Sequence, residues 1–385
     1  MLRLVFNFSK PISFKDFFNT NHCIMKKIFL LIILAVLIVE AAKSQGCVVV
    51  RNISGFGQYN LTDKSFSTAD WQLNINNRYF KSFRDFKGTV DQKTAEQNQA
   101  VVKSFTTDIS IIRMLEKGWS LTLSIPIAAN SRTASLEHGG PNTTRRTTNS
   151  FGIGDTRFTA YKWILRPRAE QRGNIQLGLG IKFPTGAYNY QDYFYRNDST
   201  KVLAAVNPSI QLGDGGTGII TELNTFYSLN AARTISIYGN FYYMANPREQ
   251  NGTAITNGRI PPRIDSLANN IVLSVADQYS MRAGIDYSLR DWSFSLGIRD
   301  EGTPVNDLLG GSEGVRRAGH NFSIEPGLIY KMKSMSFYTY VPIIVGRETK
   351  QTLPDLFKTK YTNTYTLTQG GFADYIVFVG ALFKL

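Results

Sequence analysis

From Trp119 to Ile127 the chain reads Trp-Ser-Leu-Thr-Leu-Ser-Ile-Pro-Ile. In an extended backbone Trp119, Leu121, Leu123, Ile125 and Ile127 share one face, and Ser120, Thr122 and Ser124 share the other. A helix would scatter both sets around its circumference. The alternation recurs along most of the chain. It predicts strands over 70–80, 101–114, 119–127, 154–165, 174–183, 217–228, 234–245, 278–289, 292–299, 321–331, 335–345 and 374–385.

The connections between these strands alternate in length. Short turns such as 115–118, 230–233, 290–291 and 332–334 take turns with long polar loops such as 81–98, 129–152, 184–216 and 246–277. A soluble sandwich has no reason to gather every long loop at one end. A barrel in an outer membrane does, with turns in the periplasm and loops outside. Strands of about ten residues suit a tilted bilayer crossing. The predicted fold is therefore all-β, a closed antiparallel transmembrane barrel of about twelve strands. Closure also removes the strand edges that hydrocarbon cannot satisfy.

Two features strain this reading. Pro126, Pro326 and Pro342 fall inside predicted strands, where they cannot donate to a ladder. Pro126 and Pro342 are expected near the outer rim, at bulges; Pro326 falls mid-strand without an explanation at this level. In the last strand Ile376, Phe378 and Leu382 occupy the face that should be wet, so the inner side there is expected to meet a plug.

The amino-terminal part has a different logic. Met25-Lys26-Lys27 precedes an unbroken apolar run, Ile28 to Val39, and then Ala41-Ala42-Lys43-Ser44-Gln45. A basic start, short apolar core and small-residue exit describe a secretory signal peptide. The expected divisions are a start-site extension over 1–24, a signal peptide over 25–45, a periplasmic lead-in over 46–69 and the barrel over 70–385. Gly46-Cys47 raises the question of a lipid anchor, against an ordinary small residue near the mature start. With Cys23 upstream of Met25, Cys47 has no intrachain partner.

Charge adds one choice. The net charge is +14, of which residues 1–45 supply +4, leaving +10 for the rest. No basic cluster sits on a helix and no recognition motif is visible, so no nucleic-acid partner is expected. A basic surface facing outer-membrane lipid and lipopolysaccharide is the alternative. The 19 Tyr and 25 Phe suit interfacial girdles.

Three stretches carry a resemblance: Arg78-Tyr79-Phe80-Lys81-Ser82-Phe83-Arg84-Asp85-Phe86 with Gly88, Gly152-Ile153-Gly154-Asp155, and Gly178-Leu179-Gly180-Ile181-Lys182-Phe183-Pro184-Thr185-Gly186. In these the chain resembles transporter-like outer-membrane barrels of Gram-negative bacteria labelled with the MetA pathway of phenol degradation. The resemblance implies export to the outer membrane, insertion by the barrel-assembly machinery, and transport of small hydrophobic or aromatic compounds. It supplies no catalytic residues. The carboxy-terminal residue is Leu385, where such barrels often end in an aromatic; Phe383 is the nearest.

The wet-face positions include Arg78, Asp108, Asp155, Arg157, Glu222, Arg282, Asp286, Arg299 and Glu325. These are the lumen-lining candidates. Two roles compete: a neutralised, salt-bridged interior, and a selectivity zone for a polar or ionic solute. Enzyme motifs are absent. His22, His138 and His320 are the three histidines, and His320 with Ser323 is the one thin hydrolase candidate. Gly213-Asp214-Gly215-Gly216 and Gly310-Gly311 read as turns, and no spacing suggests zinc or calcium, so no cofactor is expected. The leading function is a channel for small molecules. A plugged, partner-binding barrel is the alternative and an outer-membrane hydrolase the third.

Overall fold

In the computed structural model, Val50, residues 71–165 and residues 171–385 are described. The expected divisions 1–24 and 25–45, and all of 46–69 except Val50, lie outside them. Twelve staves follow one another around a closed antiparallel barrel. They are β1 (Trp71–Lys87), β2 (Val101–Met114), β3 (Trp119–Ala134), β4 (Arg146–Ile153 and Arg157–Trp163), β5 (Gly173–Lys182) and β6 (Gly218–Ser228). The circle continues with β7 (Ile235–Ala245), β8 (Gln278–Leu289), β9 (Trp292–Thr303), β10 (Ala318–Lys331), β11 (Met335–Tyr340 and Ile343–Lys350) and β12 (Gly370–Lys384). Each stave pairs with the next in sequence. β12 returns to β1, from Gln72↔Lys384 to Phe86↔Gly370, and closes the sheet.

The barrel is inside-out relative to a soluble protein. Leu177, Leu179 and Ile181 of β5, and Phe294, Leu296 and Ile298 of β9, point outward and are exposed. Leu179 is 64% exposed, whereas Arg299 and Glu325 on the inner face are both at 0%. Period-two alternation makes this a single decision per stave: once one residue faces lipid, every second one does. Thr107 interrupts the outer apolar set, and its hydroxyl donates to Asn77 at 2.8 Å, so two polar groups on that face satisfy each other. At the turn end Trp71, Trp119 and Trp292 stand on the outer wall. Arg113 lies 4.8 Å over Trp71, and Lys162 lies 5.1 Å over Trp119. Amphipathic rings with cations beside them suit the headgroup boundary.

The staves are longer than the alternation alone indicates. β1 runs to Lys87 rather than Phe80, β3 to Ala134 rather than Ile127, and β9 to Thr303 rather than Arg299. Beyond the apolar belt neither face meets hydrocarbon, so the pattern fades while the ladder continues.

The prolines sit at interruptions inside the wall, not at its outer rim. Pro126 pairs with Asp108 well inside β3, and its carbonyl accepts from Gly154 N–H at 2.8 Å, where β4 breaks between its two pieces. Pro342 lies in the break of β11. Pro326 accepts from Val341 N–H at 3.0 Å. The N–H and C=O of one strand residue point to the same neighbour. The missing donor of Pro126 therefore faces the gap in β4, and that of Pro326 faces Val341 beside the break in β11.

Candidate permeation pathway

The inner wall divides into two sectors. Across β5 to β10 a continuous hydrogen-bonded belt runs from amide to ion pair. Asn224 donates to Gln176 at 3.1 Å, Asn240 donates to Asn224 at 2.9 Å, and Arg282 donates to Asn240 at 3.2 Å. The sheet register sets Arg282 directly opposite Arg299. Two like charges abreast in a closed interior need a counter-charge, and Glu325 of β10 supplies it. Its Oε1 accepts from Arg282 Nε at 2.7 Å and its Oε2 from Arg299 Nη1 at 3.4 Å. Arg299 also donates to Glu301 from Nε at 2.9 Å and Nη2 at 2.7 Å. Arg282 lies 5.2 Å over Tyr340 and Arg299 lies 5.3 Å over Phe378, where this sector meets the other. Val50 is fully buried against Ile220, Tyr242 and Met244 on the inner wall, and its carbonyl accepts from Arg299 at 3.5 Å.

Glycines seat the inward tyrosines. A Cβ at Gly284 or Gly297 would collide with Tyr238, at Gly327 with Tyr340, at Gly380 with Tyr338 and at Gly178 with Tyr161. Small residues on the wall are therefore sockets for rings crossing from the neighbouring staves.

Nearer the loop end a second charged group forms around Arg157. Tyr242 lies 5.7 Å beneath its guanidinium, and Asp108, Glu222 and Asp155 bear on it electrostatically. Lys182 pairs with Asp214 and, at 3.7 Å, with Asp155. Asp155 accepts from Gly186 N–H at 3.0 Å and Asp214 N–H at 3.2 Å. Arg78 lies 5.7 Å over Phe80 and donates to Thr106 at 3.3 Å. Asp286 stands apart toward the turn end, near Ser295 and Lys331.

All nine sequence candidates thus point inward, in two clusters and two outliers. Lys182, Asp214 and Glu301 join them without having been among the candidates. Glu301 is two residues beyond Arg299 on the same face, so extending the alternation past the predicted strand end reaches it. Asp214 lies in a glycine-rich loop, where no periodicity marks it. The thin hydrolase pairing is not formed. Ser323 faces the lumen, while His320 shares the outer face with Phe322 and is held by Asp300 at 2.9 Å. The two residues are three apart in sequence, and odd spacing puts them on opposite faces.

The other sector, from β10 through β12 to β2, carries an apolar cluster beside buried polar side chains such as Asn74, Asn76, Ser104 and Thr106. Phe80, Val102, Ile329, Tyr338, Tyr340, Ile344, Ala373, Ile376 and Phe378 form one buried cluster there. Val206 and Ile210 complete it, and both come from the loop between β5 and β6. That loop carries a hairpin, Gln191–Tyr195 with Lys201–Ala205, and then drops into the lumen through a short 3-10 turn, Pro208–Ile210. Ile376 and Phe378 therefore share one buried cluster with the loop, while Leu382 is buried outside that cluster. The loop's polar ties lie elsewhere. Asn207 donates to Glu137 at 2.9 Å, and Glu137 is also held by Arg132 at 2.8 Å. The Ser150 hydroxyl donates to the Ile210 carbonyl. Gln211 donates to the Val206 carbonyl at 2.9 Å.

His138 anchors the hairpin. Its ring is stacked 5.4 Å from Phe194, and its Nδ1 accepts from Tyr195 N–H at 3.1 Å. Burial, with Arg146 and Arg196 nearby, pushes its pKa below the ordinary imidazole value against the opposing pull of Glu137 and Asp192. A cavity of about 140 Å³ adjoins the loop, with Arg157, Lys182, Pro208, Ser209, Leu212 and Arg316 in its lining. Arg316 is itself paired with Asp307. Among the described residues no group of three or more metal-ligating side chains is assembled.

No family model matches the chain, and no curated protein matches its sequence. Solved structures do match. The COG4313 outer membrane channel from Pseudomonas putida F1 is similar at 9% identity with a TM-score of 0.54, over 84% of this chain and 99% of that one. The CymD monoaromatic hydrocarbon channel matches at 10% identity and a TM-score of 0.39, over 88% and 94%. The translocator domain of autotransporter NalP from Neisseria meningitidis matches at 9% and 0.41, over 84% and 90%. The first of these similarities agrees with the fold, a closed antiparallel β-barrel.

Proposed function

We propose that this protein is an outer-membrane channel for small molecules, and that its cargo is small apolar or aromatic compounds. One observation supports the reading: the buried apolar cluster on the inner wall is completed by two side chains of a loop, Val206 and Ile210. The interior of an outer-membrane barrel is ordinarily polar, so an apolar cluster on the inner wall is consistent with an apolar solute. The expected partners are membrane lipid and lipopolysaccharide outside, the solute within, and the assembly machinery during insertion. In this reading Arg282, Arg299 and Glu325 form a neutralised group with Glu301, because the two carboxylates already answer the two guanidinium groups.

Liposome swelling with solutes of graded size tests the channel. Permeation below a size limit is the expected result, rising in Asn207→Ala, where the loop loses its tie to Glu137. A barrel that stays tight to every solute in both forms supports the plugged, partner-binding alternative, which the full burial of Arg299, Glu325 and Ile210 favours.

A further inference from the structure

We propose that the apolar sector is a binding site for one small apolar molecule at a time, and that Val206 and Ile210 occupy it as a resident stand-in. Solute binding and departure of the loop are then a single exchange. The inference rests on the channel reading and adds to it a site, an occupant and a trigger.

Three observations support it. The first is the character of the surface. Phe80, Tyr340, Ile344, Ile376 and Phe378 face the lumen of a barrel whose remaining inner wall is largely amide, hydroxyl and charge. Arg78, Arg282 and Arg299 lie 5.7, 5.2 and 5.3 Å over the rings of Phe80, Tyr340 and Phe378, so the surface left for an apolar cover is chiefly that of Ile344, Ala373 and Ile376. The second is how the loop covers it. Val206 and Ile210 are fully buried in the cluster, with Tyr190 partly packed against it. The polar ties of the same turn run to Glu137, to Ser150 and within the loop itself. Its hold on the apolar sector is burial of apolar area, which is non-directional. Any apolar molecule of similar size gains the same desolvation there.

The third is room to move. Pro208, Ser209, Gln211 and Leu212, on either side of Ile210, line the cavity that adjoins the loop. The turn therefore has protein on one side and open space on the other. Its 3-10 geometry adds little resistance, because short 3-10 turns have poor hydrogen-bond geometry. Asn207 caps the turn by accepting from Ser209 N–H at 3.1 Å, so the turn can withdraw as a unit.

Benzene is the probe and pyrimidine, of the same size but strongly hydrated, the control. Hydrogen exchange of residues 206–212 in the full-length protein in detergent reads the loop directly. Benzene is expected to raise exchange there saturably while the β5–β10 staves stay protected, and pyrimidine to do nothing. Ile210→Ala removes about three buried carbons from the competitor, so its half-saturating benzene concentration should fall at least about tenfold. Ile210→Met, similar in volume, should keep the wild-type value and shows that substitution alone does not unseat the loop. Exchange unaffected by benzene in all three proteins overturns the site. If liposomes nevertheless pass polar solutes, the channel stands without this site. If benzene releases the loop while liposomes remain tight to every solute, the site stands and the channel reading falls.

Discussion

The two sectors of the lumen are closed by different means. Between β5 and β10 the wall carries its own closure: Gln176, Asn224, Asn240, Arg282, Glu325, Arg299 and Glu301 form one hydrogen-bonded chain anchored in the sheet, with Val50 packed beside it. Between β10 and β2 the buried apolar cluster of the wall is completed by two loop residues, Val206 and Ile210. The first kind of closure belongs to the fold, because buried charges that lose a partner are costly. The second can be undone without touching a stave. On the proposed exchange the barrel would be rigid on one wall and gated on the other.

The comparison breaks most directly at Glu325, the carboxylate that separates two abreast arginines. Glu325→Ala should lower stability by about 3–5 kcal/mol, the usual cost of stranding a buried charge. Urea unfolding in lipid vesicles would register it as a shift of the whole transition, and a shift confined to the loops would contradict the assignment. Gly297→Ala comes next. Its Cβ would meet Tyr238, which must leave its socket, at about 1–3 kcal/mol of overpacking. The same unfolding measurement should show a smaller global shift.

Asn207→Ala acts on the other wall. Loss of its bond to buried Glu137 should cost about 1.5–3 kcal/mol locally. The unfolding midpoint should stay unchanged while the segment after Ala205 becomes sensitive to protease. A change in the global midpoint would mean that the loop is part of the wall after all.

The smallest effect expected is pH dependence through His138. Its Nδ1 must be unprotonated to accept from Tyr195 N–H, and its pKa in the folded loop lies below the ordinary 6.5. The folded state therefore binds fewer protons than the unfolded. Its contribution is complete above about pH 6.5 and is lost as pH falls through the lower folded value. Protease sensitivity of the hairpin should rise between pH 7.5 and pH 5. His138→Phe, which keeps the stack on Phe194 but cannot titrate, should flatten that rise.

Much of this architecture is legible in the order of residues alone. Trp119 to Ile127 states the strand, the strict alternation of short turns and long loops states the barrel, and the nine inward charges follow from parity. Ile376 and Phe378 on the wet face are enough to announce an apolar contact on the inner side. Strand ends are not legible, because beyond the hydrocarbon belt Ser82 to Lys87 and Ala129 to Ala134 have no lipid to sort them. Nor are the prolines. Pro326 looks wrong in β10 until Val341 and Pro342 are seen to leave the ladder beside it.

By itself, then, the sequence determined which side of every stave meets lipid, since that is a period-two property carried by neighbours in the chain. Only the tertiary structure decided that Glu325 stands between Arg282 and Arg299, and that the loop after Ala205, not another, fills the apolar sector. Both depend on register and on contacts between residues far apart in the chain, over 100 residues apart for the loop and the last stave. No local pattern records distances that exist only once β12 has closed on β1.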